Sequence, residues 1–218
     1  MSFADSVFPK TVQDLRQRLL DHPLWEQIEN GTLDRARLRI FALQDWWIVR
    51  EAYRLDALAI AGVPELDVQE LLIGKLAAKT GGYKLLLRFG EAIGLSRANF
   101  DASEPLAGCM ALSNFFFYTI AHGTPEEKLA SVSASEDIFV QICARIGPAL
   151  MQHYWLSEEQ VAFFTAHKQI GERVTPVDET LLARYTSEDE LQRIVRAVRL
   201  SHEFELMFYD TVLNTPLY

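Results

Sequence analysis

The chain has 218 residues, with 21 Lys and Arg against 30 Asp and Glu and a formal net charge of −9. That balance excludes the clustered basic surface on which nucleic-acid binding depends. At this length a single core can remove roughly 70–75% of the unfolded chain's surface from water, so no covalent staple is required.

Only two cysteines occur, Cys109 and Cys143, each in an apolar stretch and with no ligand-like spacing between them. A disulfide or zinc framework is not expected, and a reducing, cytoplasmic setting is. The opening MSFADSVFPK lacks the basic segment and apolar run of an export signal. No uninterrupted apolar run approaches the ~20 residues that span a bilayer, so no membrane partner is expected.

Apolar residues recur at the helical period along nearly the whole chain, and strand signals are almost absent. The pattern predicts helices over 10–20, 23–30, 33–61, 66–92, 104–122, 125–153, 157–172 and 187–213. Capping boxes mark two starts, at Ser157-Glu158-Glu159-Gln160 and Ser187-Glu188-Asp189-Glu190. At Thr124-Pro125 a hydroxyl precedes Pro at the first helical position. Punctuation falls at Gly62-Val63-Pro64, Gly81-Gly82, Gly94-Leu95-Ser96 and Thr175-Pro176. No linker or repeat divides the chain, so one all-α domain spanning 1–218 is expected.

Along 33–61, Leu38, Phe41, Ala42, Ile48, Val49, Ala52 and Ala59 form one stripe, and Asp45 and Asp56 lie on it. A carboxylate on a buried face has to be paired, hydrogen-bonded or neutralised, because burying it alone costs several kcal/mol. An arginine from a neighbouring helix would satisfy it, and so would a ligand. Further on, Ala111 to Tyr118 is apolar on all sides and predicts a central helix, either plain core or the wall of a pocket. Glu136 and His167 then stand on two successive helices, the arrangement from which bundles build metal sites. Gly171 and Val174 follow His167 on its own face, and neither can ligate through a side chain. In the last helix Leu191, Ile194, Val195, Val198, Tyr209 and Val212 define a stripe that contains His202 and Glu205. Their i,i+3 spacing makes these two neighbours, a possible acid–base pair or a satisfied core histidine beside a structural glutamate.

Several segments carry a family likeness. His22-Pro23-Leu24-Trp25, Asn30-Gly31-Thr32-Leu33, Phe41-Ala42-Leu43-Gln44-Asp45-Trp46-Trp47 and the closing Glu205-Leu206-Met207-Phe208-Tyr209 resemble the thiaminase II (TenA) proteins. That resemblance implies a heme-oxygenase-like helical bundle with a central buried pocket. It also implies an aminopyrimidine-binding role for Asp45, an acid–base role for Glu205, a small-molecule substrate and a homo-oligomer. The family's nucleophilic cysteine precedes an Ile-Gly pair. Counting back from Ile146-Gly147 puts Phe139 in its place, with Cys143 one helical turn later. Thiolate chemistry is therefore not expected.

The stretch Leu156 to His167 is similar to pyrroloquinoline-quinone synthases, CADD-type proteins and diiron oxidases of the same fold, with Glu136 upstream as a further ligand. The oxidases use about six protein ligands. Here Gly171 and Val174 stand where a carboxylate and a histidine are expected, and Tyr83 stands near another histidine's place. Iron is possible, but the ligand set looks incomplete.

Together these features predict an enzyme that tailors a planar or lipophilic metabolite without a metal, by oxidation or hydrolysis. Asp45 would anchor the substrate, Glu205 would move protons, and Trp47, Tyr83, Phe115, Tyr118 and His202 would form the wall. The alternatives are a non-catalytic ligand- or partner-binding homologue, and an iron-dependent oxidase using Glu136 and His167.

Overall fold

The computed structural model describes residues 8–217, and among these every regular element is a helix. In chain order they are α1 (Lys10–Leu20), α2 (Pro23–Glu29), α3 (Arg35–Val49), α4 (Ala52–Ala61) and α5 (Leu66–Ala78). They continue as α6 (Gly82–Ala92), α7 (Arg97–Asp101), α8 (Ala107–His122), α9 (Pro125–Tyr154), α10 (Ala162–Leu182) and α11 (Glu188–Asn214).

The helix starts follow from local chemistry. At α9 and α11, Thr124 with Glu127 and Ser187 with Glu190 form reciprocal capping boxes. Ser96 and Asn99 make another at α7. At α2 the imidazole of His22 accepts the Leu24 N–H at 3.2 Å, ahead of Pro23 at the first helical position. Ser157 and Gln160 exchange the expected bonds, at 2.8 and 3.3 Å, but the turn they close precedes a helix that begins at Ala162.

Three predicted spans differ from the structure. The helix expected over 33–61 breaks at Arg50 and Glu51, where no Gly or Pro marks the sequence. The span 66–92 divides at Gly81, whose φ of +89° is the left-handed backbone that Gly adopts without strain. The span 157–172 runs on through Thr175-Pro176 to Leu182. Proline lacks an N–H, so α10 gives up one ladder bond there and still continues, because its inner face stays buried.

The core gathers around α9. This 30-residue helix packs along α10 and α11, and α11 in turn packs against α8 and α1. Trp25, Phe41, Phe89, Phe164 and Phe208 are fully buried. Phe89 meets Phe164 edge to face at 4.9 Å, and Trp25 meets Tyr209 the same way at 4.6 Å. A smaller apolar cluster of Val12, Ala130, Leu182, Ile194 and Val198 lies where α1 meets α9 and α11.

Two elements are oriented against their composition. Asn114, Tyr118 and Ala121 give α8 an exposed strip, so it is not the fully enclosed helix its sequence predicts. Helix α5 turns its one buried residue, Lys75, inward and leaves Leu66 and Ile73 exposed.

A candidate active site in the helical cavity

A cavity of about 620 Å³ opens between the inner faces of α3, α8, α9, α10 and α11. Of the residues predicted for the site, Asp45, Tyr83, Glu136, His167, His202 and Glu205 line it. Asp45, His202 and Glu205 are 7%, 2% and 2% exposed. Asp45 Oδ2, Glu205 Oε2 and His202 Nδ1 are buried with no hydrogen-bond partner. Such groups are costly to bury and mark a place where a ligand supplies the missing bond.

Each is held by packing that begins in the sequence motifs. Gln44, beside Asp45, donates to the Glu104 carbonyl at 3.1 Å and accepts the Leu106 N–H at 2.7 Å, which fixes α3 against the entry to α8. Trp25 packs edge-on to both Phe41 and Tyr209. The Tyr209 hydroxyl, one turn along α11, donates to Glu205 Oε1. The aromatic residue in the His22 segment thus steadies the tyrosine that steadies the late glutamate.

Burial sets the protonation states. It pushes the Asp45 carboxyl up to about 7. For Glu205, burial outweighs the Tyr209 and Ser135 hydrogen bonds, and with the charges of Asp45 and Asp137 it raises the carboxyl to about 8. His202 is pushed down to about 4, by burial and then by the Arg16 charge. Near neutrality His202 is uncharged and Glu205 largely protonated, while Asp45 is poised between its two forms.

The thiols play no comparable part. Cys143 is 1% exposed and does not line the cavity, and burial followed by the Asp45 charge holds its thiol well above the usual range. Cys109 is pushed up to about 12 by the same two causes. Phe139 faces the cavity and packs edge-on to His167 at 4.9 Å. A neutral buried thiol is a poor nucleophile, so α9 offers an aromatic wall in its place.

A second polar group borders the cavity. Lys75 pairs with Asp178 at 2.5 Å and lies 3.4 Å from Glu136. Lys79 pairs with Glu136 and, at 3.3 Å, with Asp56. Asp56 is thus paired with a lysine rather than the expected arginine. Sequence reasoning missed Lys75, Lys79 and Asp178. The lone charge in Leu71-Leu72-Ile73-Gly74-Lys75-Leu76-Ala77-Ala78 was an available signal for Lys75. Asp178 lies beyond Pro176, where the predicted helix had already ended.

Trp47, Phe115 and Tyr118 stand outside the cavity lining. The Trp47 indole donates to Ser103 Oγ at 3.2 Å, and the Arg50 guanidinium covers the ring at 4.7 Å. Phe115 stacks on Phe204 at 5.1 Å, and Phe116, about 100° further round the helix, takes the lining position. Tyr118 is 66% exposed.

The donor set does not fit a diiron centre. Glu136 is occupied by two ammonium groups that would oppose a cation. The His167 ring nitrogen Nδ1 bonds the Phe163 carbonyl at 2.7 Å, with the ring wedged between Phe139 and Phe163. Among the described residues no three His, Cys, Asp or Glu side chains cluster as metal ligands.

The chain matches the model of the TENA/THI-4/PQQC family over residues 10–215. An aminopyrimidine aminohydrolase from Halalkalibacterium halodurans is 25% identical over 134 residues. That match spans 61% of this chain and 59% of the relative, so the chain is matched to about three-fifths of that protein's length. A TenA homologue from P. horikoshii OT3 superposes with a TM-score of 0.81 at 16% identity, covering 97% of this chain and 98% of that one. A protein from Shewanella denitrificans with a heme oxygenase-like fold gives 0.82 at 17% identity, covering 94% and 89%. A TenA homologue from Pseudomonas syringae pv. tomato gives 0.81 at 14% identity, covering 94% and 90%.

Proposed function

This chain belongs to the TENA/THI-4/PQQC family, and from that premise we propose that it is an enzyme that hydrolyses a ring-bound amine on a small planar substrate. The observation that carries the proposal is the Asp45 and Glu205 pair, two buried carboxyl groups in one cavity, each with an unpartnered oxygen. The name of the Halalkalibacterium relative supports an amino-substituted ring as the substrate class.

Asp45, ionised, accepts hydrogen bonds from the ring amine and holds the ring against Phe41 and Phe139. Glu205, protonated, lies one hydrogen bond from Tyr209. Water adds to the ring carbon that bears the amine, forming the new C–O bond. As the C–N bond breaks, Glu205 transfers its proton to the leaving nitrogen, and the proton shed by the water returns to Glu205. Ammonia and the hydroxylated ring leave, and the carboxyl group is restored. Glu205 acts as general acid and then base, a contribution typically worth about 10²–10⁴-fold in rate.

Ammonia release from a panel of aminopyrimidines and other aryl amines tests this. Glu205→Gln should lower kcat by about 10²–10⁴-fold with little change in KM. Asp45→Asn should act mainly on KM. A Glu205→Gln protein with unchanged kcat would remove the proposed chemistry. A non-catalytic, ligand-binding role is the second reading, favoured by Phe139 standing where the resemblance places the cysteine. Tight ring-amine binding without product formation would select it.

A further inference from the structure

The proposed hydrolysis consumes a water molecule, and Asp45 and Glu205 by themselves leave that water without a holder. Asp45 takes the ring amine, and one oxygen of Glu205 already accepts the Tyr209 hydroxyl. His202, the other buried polar group on the α11 wall, has no part in that chemistry so far. It stands one turn before Glu205, and both side chains line the cavity. Side chains three apart on a helix are neighbours, with Cβ atoms about 5–6 Å apart. One water fits between two such groups, with hydrogen bonds of about 2.8 Å to each.

His202 contrasts with two other histidines packed in this protein. His22 is 4% exposed, and its Nδ1 accepts the Leu24 N–H at 3.2 Å while its Nε2 lies 3.3 Å from Asp210 Oδ1. The Nδ1 of His167 bonds the Phe163 carbonyl at 2.7 Å. His202 is more deeply buried than His22, yet its Nδ1 has no hydrogen-bond partner. A side chain that only filled the core would be better apolar, because an unmade hydrogen bond in the interior destabilises the fold. The ring is nonetheless held in a fixed place. The preceding residue, Ser201, donates to the Ser131 carbonyl at 2.8 Å with both serines fully buried, which pins α11 to α9. One turn along the same two helices, Ser135 hydrogen-bonds Glu205. Burial, and then the Arg16 charge, keep the imidazole neutral near pH 7. A neutral imidazole carries hydrogen on one nitrogen and a free lone pair on the other.

We infer that His202 holds the attacking water beside Glu205. With its hydrogen on Nε2, the imidazole accepts one O–H of the water at Nδ1, and the second O–H points to Glu205. The oxygen lone pair then faces the ring carbon that bears the amine. As the C–O bond forms and the C–N bond breaks, the second proton passes to Glu205. The proton that Glu205 held goes to the leaving nitrogen, which departs as ammonia, and the first hydrogen stays on the product hydroxyl. His202 neither gains nor loses a proton. The inference rests on the hydrolytic reading of the cavity.

Ammonia release from the aminopyrimidine and aryl amine panel, with melting curves of each variant, tests it. His202→Leu is close to volume-conserving and removes the unpartnered nitrogen, so it should melt no lower than the unaltered protein. Its kcat should fall by about 10²-fold with KM within about twofold, since a misplaced nucleophile costs rate and not binding. His202→Gln, whose amide reaches past the Nδ1 position, should lose kcat in the same way. His202→Asn, whose Oδ1 stands near that position, should keep at least about a tenth of it. A kcat within about threefold of the unaltered value in folded His202→Leu or His202→Gln overturns the inference alone. So does a kcat loss that comes with a lower melting temperature and no recovery in His202→Asn, which marks a structural role. No ammonia from the unaltered protein on any member of the panel overturns the hydrolytic proposal, and this inference with it.

Discussion

Asp45 and Glu205 are each pushed toward neutrality by burial, and the two shifts define a working window. The productive state has Asp45 ionised, which requires pH above about 7, and Glu205 protonated, which requires pH below about 8. Activity should rise through the lower value and fall through the upper, with the limbs belonging to the coupled pair. The Tyr209 hydrogen bond stabilises the Glu205 carboxylate and so opposes the upward shift. Tyr209→Phe should therefore move the alkaline limb of a kcat/KM profile to higher pH while keeping the ring packed on Trp25. A limb that stays in place would remove Tyr209 from the site's electrostatics. At this scale both carboxylates were legible as polar interruptions of apolar stripes, as was His202. Phe115 and Phe116 were not separable, because their choice of face depends on which neighbour each meets. Tyr118 looked internal only because its apolar surroundings concealed the exposed strip of α8.

At the scale of elements, α10 shows how far local signals reach. Thr175-Pro176 reads as a stop, yet the helix continues, because Gly171, Val174 and Asp178 lie on one buried face against α9 and α5. Gly171 is needed there, since a Cβ would stand 2.5 Å from Val140 Cγ1. Gly171→Ala should cost about 1–3 kcal/mol, read as a lowered denaturant midpoint with an unchanged slope. An unaltered midpoint would mean the two helices are not packed this closely. The α11 cap was legible from sequence, and Ser187→Ala should cost about 1 kcal/mol in the same assay. Helix α5 was not legible in the same way. Its leucines suggest an inward apolar face, but that orientation would leave the buried Asp178 without a countercharge, and Lys75 turns inward to pair with it.

For the molecule as a whole, the site has a cost in stability. A carboxyl whose pKa is higher folded than unfolded favours the fold most when protonated. Its contribution is full below the unfolded value near 4 and is lost as pH rises to the folded value. For Asp45 and Glu205 that loss runs up to about 7 and about 8. At pH 9 Glu205→Gln and Asp45→Asn should each be more stable than the unaltered protein by on the order of a few kcal/mol, read as a higher melting temperature. The gap should close toward pH 5. Melting curves that stay parallel across that range would contradict burial of these charges. Residues that weaken the fold where they are ionised are the mark of a site shaped for something other than stability.

Periodicity and capping chemistry are local, and by themselves they determined the all-helical class, most helix starts, and Asp45, His202 and Glu205 as residues needing explanation. Motif resemblance added the family. Tertiary structure alone decided that Asp45 and Glu205 share a cavity with oxygens left unpartnered, that Cys143 is sealed away from it, and that Glu136 serves two lysines instead of a metal. The reason is physical. Whether a polar side chain is paired, exposed or orphaned depends on groups a hundred or more residues away, as Lys75 and Asp178 show, 103 positions apart in the chain.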